Sequence, residues 1–352
     1  MNEHINRRNF LKTSGVAAGL GLINQANAKA PKIGDVVIGH NSHRYKVVAG
    51  WGMLDAGKNP VNDCHEMVED AKGRLIMITN ETRNNILIYD KSGKLLDSWG
   101  HDYIGGHGLT LANEGGEQFL LICDTDRHQV IKTDLKGREI LKIDYPKEAG
   151  YQFPTRFKPT ESAVNPANGD IYVADGYGSN IITQFDSKGR YIRHFGGSSK
   201  EYADDKFNCC HGILVDTRDK ANPTLLITDR VHSSFKRFTL DGKFIKRYHY
   251  PGSFVCRPVL HGDYIFAASF RSGDLGWNNS GYIQVIDKDM RVVSTPGGSE
   301  PIYKNGQLEM QYKNDPANVF MHPHDVYVDS DENVYVPQWY SQKTYPVKLQ
   351  RI

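Results

Sequence analysis

The stretch GRLIMITNETRNNILIYDKSGKLLDSWG, residues 73–100, reads as three strands separated by two turns. An apolar run from Leu75 leads into a polar turn at Asn80 and Glu81. A second run from Ile86 ends at Lys91-Ser92-Gly93, and an alternating strand closes on Trp99. The same pattern returns as EQFLLICDTDRHQVIKTDLKGREILKI from Glu117, GDIYVADGYGSNIITQFDSKGRYIRHFG from Gly169 and PTLLITDRVHSSFKRFTLDGKFIKRY from Pro223. The hairpin glycines Gly93, Gly137, Gly189 and Gly242 lie 44, 52 and 53 residues apart. That period belongs to the blades of a β-propeller.

Two weaker copies extend the series. DYIFAASFRSGDLGWNNSGYIQVIDKDMRVV, from Asp263, carries a longer insertion, and ENVYVPQWYSQKTYPVKLQRI, from Glu332, stops one strand short. The early YKVVAGWG, from Tyr45, resembles the closing strands KLLDSWG and YIRHFG and is the candidate for the missing strand. A ring closed in this way leaves no sheet edge open to aggregation. The expected fold is therefore an all-β, six-bladed propeller over residues 31–352, with few helices and no second domain. The long loops between the fifth and sixth copies are also compatible with five or seven blades.

Bulk composition narrows the function. Lys and Arg (43) nearly balance Asp and Glu (41), and no basic stripe suggests a nucleic-acid partner. A small-molecule substrate and a monomeric ring are the expectation. Residues 1–30 differ from the rest: Arg7-Arg8 precede Phe10-Leu11-Lys12, a short weakly apolar run and small residues at Ala26, Ala28 and Ala30. This reads as a twin-arginine export signal, implying a periplasmic protein, and the apolar run is too short to span a bilayer. Five cysteines with no CxxC pair allow at most two disulfides and argue against a zinc ribbon.

In a propeller the innermost strands line a central channel, so residues at their starts gather at one mouth. Lined up in register, these segments are DCHEMVED (His65), GGHGLTLA (His107), KPTESAVN (Glu161), CCHGILVD (His211), VCRPVLHG (Arg257) and HPHDVYVD (His324, Asp325). Neutral imidazoles from separate elements meeting at a point suit a zinc-type cation, and three leave one position for water or substrate. His107, His211 and His324 are the expected ligands, with His65 as a fourth ligand or a supporting residue. Cys64, Cys210 and Cys256 each precede a ring residue, and are open to reading as a disulfide, soft ligands or small buried hydrophobes. Asp124, Asp175 and Asp229 recur at one point of their blades and are expected to accept hydrogen bonds in turns.

From GGHGL to HPHDV the chain resembles peptidyl-alpha-hydroxyglycine alpha-amidating lyase, a six-bladed propeller of NHL-type repeats. The resemblance implies zinc on His107, His211 and His324, and a structural calcium at Asp325 with backbone carbonyls near Met67 and Leu109. IYVADGYGSNIITQF aligns Tyr177 with the family's catalytic tyrosine, and LLITDR aligns Arg230 with its active-site arginine. The implied chemistry is loss of a proton from a metal-held substrate hydroxyl to Tyr177, a phenol of lowered pKa, followed by carbon–nitrogen cleavage to an amide and an aldehyde acid. Arg230 would orient a carboxylate or support the phenolate.

The sequence also departs from the family. His322 replaces a methionine, His65 is an additional ring imidazole, and Asn80 or Glu81 stands where the family has a first-blade arginine, with Arg83 nearby. Two other readings remain open at this level: a calcium-dependent lactonase propeller, which usually holds its cation with Glu, Asn and Asp, and a non-catalytic binding propeller without tightly held metal.

Overall fold

A computed structural model describes Gly34, residues 36–273 and residues 280–352. The export signal expected over residues 1–30 lies outside the described residues. The described chain folds into six antiparallel sheets arranged as blades, together with a small hairpin pairing Tyr303–Lys304 with Gln307–Leu308. Apart from Gly34, helix among the described residues consists of two single 3-10 turns, Lys147–Ala149 and Pro154–Arg156. No described helix is long and apolar enough to cross a membrane.

Blades one to four follow the repeat closely. Their inner strands are Cys64–Glu69, Gly106–Glu114, Glu161–Val164 and Ile213–Asp216, and their outer strands Leu95–Trp99, Glu139–Ile143, Tyr191–Gly196 and Phe244–His249. In the fifth blade Ser253–Val255 and Val259–His261 both pair with Tyr264–Ser272, so the innermost strand is broken at Cys256-Arg257-Pro258. The sixth blade contains Tyr327–Val328, Val334–Val336 and Val347–Arg351, and His43–Val48 from the N-terminal side pairs with the last of these in register Tyr45↔Arg351. The ring thus closes through the strand expected from YKVVAGWG. Val37–His40 adds an outermost fifth strand to the same sheet.

The hairpins explain the repeat physically. Asp90, Asp134 and Asp186 each accept backbone N–H groups from the residues two and four positions on. The turn then needs a left-handed residue, supplied by Gly93, Gly137, Gly189 and Gly242. Met290 and Glu332 adopt positive φ in the fifth and sixth blades, which is why those hairpins carry no glycine signal. The glycines also serve packing between blades. A Cβ on Gly137 would lie 2.6 Å from the Trp99 ring of the preceding blade, and one on Gly242 would lie 2.5 Å from Phe195.

Apolar residues pack between successive sheets. One cluster joins Ile76, Ile78 and Ile88 of the first blade to Leu109, Leu120 and Ile122 of the second. Another carries Tyr45 and Val47 of the closing strand onto Val334 and Leu349 and reaches Phe266 and Ile283 of the fifth blade. Closure therefore buries apolar surface as well as pairing an edge.

Gly137→Ala and Gly150→Ala separate the two roles of the hairpin glycine. Both positions have φ near 85°, but only Gly137 faces a neighbouring ring, Gly150 having open space around it. Chemical denaturation should show Gly150→Ala costing about 1–2 kcal/mol for backbone conformation and Gly137→Ala roughly 1–3 kcal/mol more for overpacking. Equal losses would mean that the contact between blades contributes nothing.

Candidate metal centre

Two glycines position the inner ring. A Cβ on Gly108, next to His107, would meet the Thr160 carbonyl oxygen at 2.7 Å, and one on Gly212, next to His211, would meet the Arg257 Cα at 2.4 Å. The His-Gly pairs therefore let adjacent inner strands approach more closely than any side chain would permit. The imidazoles that precede these glycines are driven together over the channel.

His65, His107, His211 and His324 are all buried. Ring centroids of His107, His211 and His324 lie 4.7–4.8 Å apart in every pairing, and His65 lies 4.4 Å from His107 and 4.7 Å from His324. His107 Nδ1 is 2.7 Å from the Thr160 carbonyl and His324 Nδ1 is 3.2 Å from the His65 carbonyl. Those contacts place the proton of each neutral ring on Nδ1 and leave Nε2 as an acceptor. His107 Nε2 and His211 Nε2 face each other at 3.2 Å, while His324 Nε2 is buried without a hydrogen-bond partner.

Burial is the leading cause that pushes His107, His211 and His324 well below the ordinary histidine pKa and His65 down to about 4. Neighbouring imidazoles and Arg230 act in the same direction on the first three. Neutral rings with converging lone pairs, three of whose buried nitrogens (His65 Nδ1, His211 Nδ1 and His324 Nε2) have no hydrogen-bond partner, are a donor set that fits a zinc-type cation. Donor atoms of His65, His107 and His324, and separately of His211, Cys256 and His324, fall within 4.8 Å of one another. All five cysteines are free thiols, so no disulfide forms at the mouth.

Tyr177 and Arg230 adjoin this cluster. The Tyr177 ring is 44% exposed, but its hydroxyl points inward, 3.1 Å from His211 Nε2, 3.3 Å from His107 Nε2 and 3.3 Å from Arg230 Nη1. Burial pushes the phenol up to about 12, with Arg230 working against it. Burial thus acts against the lowered phenol pKa that the family resemblance implies, and Arg230 acts toward it. Arg230 also donates to the Val255 carbonyl and to Cys256 Sγ and lies 4.6 Å from the Phe270 ring. Among the described residues no carboxylate forms an ion pair with it. Tyr177, Cys209, Arg230, Phe254, Phe270 and Trp339 line a cavity of ≈ 320 Å³ beside His324. Phe254 and Phe270 stand on strands Ser253–Val255 and Tyr264–Ser272 of the irregular fifth blade and Trp339 on a bend of the sixth, outside the register that singled out the ring residues.

The remaining sequence candidates sort cleanly. Asp124, Asp175 and Asp229 accept hydrogen bonds from loop amides, as expected: Gly105 and Arg127 on Asp124, Lys158 and Ser179 on Asp175, and Asn208 on Asp229. His322 is turned toward the 339–340 segment, its Nδ1 3.1 Å from the Tyr340 carbonyl and its ring 6.0 Å from that of Trp339. Arg83 pairs with Glu81 on the surface and does not replace the family's first-blade arginine.

The expected calcium groups have another partner. Arg257 Nε and Nη2 lie 2.7 and 2.9 Å from the two carboxylate oxygens of Asp325, Nη2 is 3.2 Å from the Met67 carbonyl and Nη1 3.5 Å from the Leu109 carbonyl. Calcium needs six to eight oxygen ligands, and a guanidinium already engages the oxygens proposed for it.

Known proteins resemble this chain at low identity. It is 26% identical over 268 residues to the rat peptidylglycine alpha-amidating monooxygenase, covering 72% of this chain and 24% of that protein. It is 32% identical over 141 residues to a probable peptidyl-alpha-hydroxyglycine alpha-amidating lyase of Caenorhabditis elegans, covering 40% of this chain and 38% of that one. A peptidyl-alpha-hydroxyglycine alpha-amidating lyase of Drosophila melanogaster is 25% identical over 334 residues, covering 87% and 53%. The chain therefore spans about a quarter to a half of the length of these relatives. A streptogramin B lyase structure superposes with a TM-score of 0.54 at 15% identity over 84% of this chain and 95% of the other. Virginiamycin B lyase from Staphylococcus aureus gives 0.52 at 12% identity over 88% of each. These two likenesses concern the propeller fold. No family model matches the chain.

Metal analysis of protein prepared with zinc should find one zinc per chain. His107→Ala, His211→Ala and His324→Ala should each weaken zinc binding at least tenfold in competition with a chromophoric chelator. Retention of zinc by all three variants would exclude this cluster as the binding site.

Proposed function

We propose that this chain is an exported, zinc-dependent lyase that cleaves the carbon–nitrogen bond of a small N-acylated α-hydroxy amine, the linkage named in its amidating-lyase relatives. One observation carries the reading: the Tyr177 hydroxyl sits within 3.3 Å of two candidate ligand nitrogens and of Arg230. A strand-end tyrosine with no chemical role would have its hydroxyl in water.

His107, His211 and His324 would hold the zinc, with His65 stacked against them. Bound zinc supplies Lewis acidity toward a substrate hydroxyl oxygen. The positive charge of Arg230 and of a bound zinc would favour the phenolate form of Tyr177, which would then take the hydroxyl proton as base and return it to nitrogen as acid. As the oxygen lone pair forms the aldehyde carbonyl, the carbon–nitrogen electron pair leaves on the amide nitrogen, so nothing is oxidised or reduced. Free of any carboxylate partner among the described residues, Arg230 offers a full positive charge to a substrate carboxylate and steadies the phenolate. The Phe254, Phe270 and Trp339 walls receive the acyl side chain and exclude water.

A calcium-dependent lactonase would need the channel carboxylates to face a substrate cavity. Here Asp325 is held by both ends of a guanidinium fork, which favours the histidine site. The arginine pair at residues 7–8 supports delivery to the periplasm by the twin-arginine route, and a single closed ring supports a monomer.

Zinc-loaded protein incubated with an N-acyl-α-hydroxyglycine should release glyoxylate and the primary amide in equal amounts, followed by mass spectrometry. Tyr177→Phe should lower kcat by about 10²–10⁴ while keeping its zinc. Absence of glyoxylate from the zinc-loaded wild type, or wild-type turnover by Tyr177→Phe, would contradict this mechanism.

A further inference from the structure

Below the imidazoles, Arg257 crosses the channel from the break in the innermost strand of the fifth blade. Its fork takes both oxygens of Asp325 from the sixth blade, and it reaches the Met67 carbonyl of the first blade and the Leu109 carbonyl of the second. Nη1 also lies 3.4 Å from Glu66 Oε2 and 3.6 Å from Glu161 Oε2 of the third blade. Side-chain exposure is 12% for Arg257 and at most 1% for the three carboxylates. Through Gly212 the inner region of the fourth blade packs on the Arg257 backbone, since a Cβ there would meet Arg257 Cβ at 2.5 Å. Every blade is thereby in touch with this one residue.

The three carboxylates are themselves held in place. Asp325 Oδ2 accepts the Met67 N–H at 3.1 Å, Glu66 Oε2 accepts the Leu109 N–H at 2.6 Å, and Glu161 Oε1 accepts the Ser162 N–H at 2.8 Å. Glu161 Oε2 makes no hydrogen bond although it is fully buried and faces the guanidinium. Three carboxylates and two carbonyls around one centre form an oxygen shell rich enough for a divalent cation. This chain fills the centre with a planar monovalent one on a covalent tether. The guanidinium also separates the imidazole side of the channel from a cavity of ≈ 650 Å³ at the other mouth, which Arg257 lines together with Met67, Thr110, Ser162 and Tyr327.

We propose that Arg257 is a built-in replacement for a divalent cation, that closure of this propeller is consequently independent of calcium, and that removing the guanidinium uncovers a calcium site made by Glu66, Glu161 and Asp325 with the Met67 and Leu109 carbonyls. A tethered cation is present at unit occupancy whatever the external calcium concentration, so the fold does not depend on the ionic composition around it.

The test uses the full chain and reads thermal melting and calcium binding, so it is independent of any lyase activity. Wild type should melt at the same temperature in the calcium chelator EGTA and in millimolar calcium, and should bind no calcium at this site by calorimetry. Arg257→Ala in EGTA should melt roughly 5–15 °C lower, because buried carboxylates lose their partner. Added calcium should restore a large part of that loss with one ion bound per chain, and Asp325→Asn in the Arg257→Ala background should abolish the restoration. Arg257→Lys, which keeps a charge but not the fork, should fall between wild type and Arg257→Ala in EGTA. A wild type that loses melting temperature in EGTA would overturn the proposal without reference to any variant. So would an Arg257→Ala protein that calcium fails to stabilise.

Discussion

Everything in this molecule depends on how closely six inner strands can crowd around one axis. Where His-Gly pairs stand at the start of an inner strand, backbone meets backbone, and a single methyl group at Gly108 or Gly212 would push the strands apart. The same crowding strips water from the groups that project into the channel. Two levels result. Imidazoles occupy one, where burial keeps them neutral and able to act as metal ligands. Carboxylates occupy the other, where burial would be costly without the guanidinium that lies among them.

The division of charge between these levels gives each its role. A neutral nitrogen cluster beside a cavity can accept a cation and present it to a substrate, whereas the oxygen cluster below it already surrounds the Arg257 guanidinium and serves as a floor. Tyr177 and Arg230 belong to the upper level, and their mutual hydrogen bond ties the third blade to the fourth directly over the ring. The chemistry proposed for the upper level would thus rest on blades that also meet at the lower level.

Much of this was legible in the sequence because it is periodic. Gly93, Gly137, Gly189 and Gly242 announce their blades through a backbone conformation that other residues adopt reluctantly. The last two blades were harder to read, since Met290 and Glu332 take the same conformation without being glycine, although Asp287 and Asp329 accept turn amides as their counterparts do. The four ring histidines followed from register alone. The role of Arg257 did not, because it depends on how far a long side chain reaches across the axis and which carbonyls it meets there. Equally hidden were the cavity walls at Phe254 and Phe270, on the irregular fifth blade, and at Trp339, together with the raised pKa of Tyr177, which reflects burial that no local pattern encodes.

The central claim is that imidazoles from separate blades converge on one metal ion. X-ray absorption at the zinc edge, on protein loaded with a single equivalent, measures that convergence directly. Converging imidazoles predict a first shell of three or four light-atom donors at about 2.0–2.1 Å with the multiple-scattering signature of imidazole rings. A shell dominated by sulfur at about 2.3 Å, or by oxygen without imidazole scattering, would contradict it.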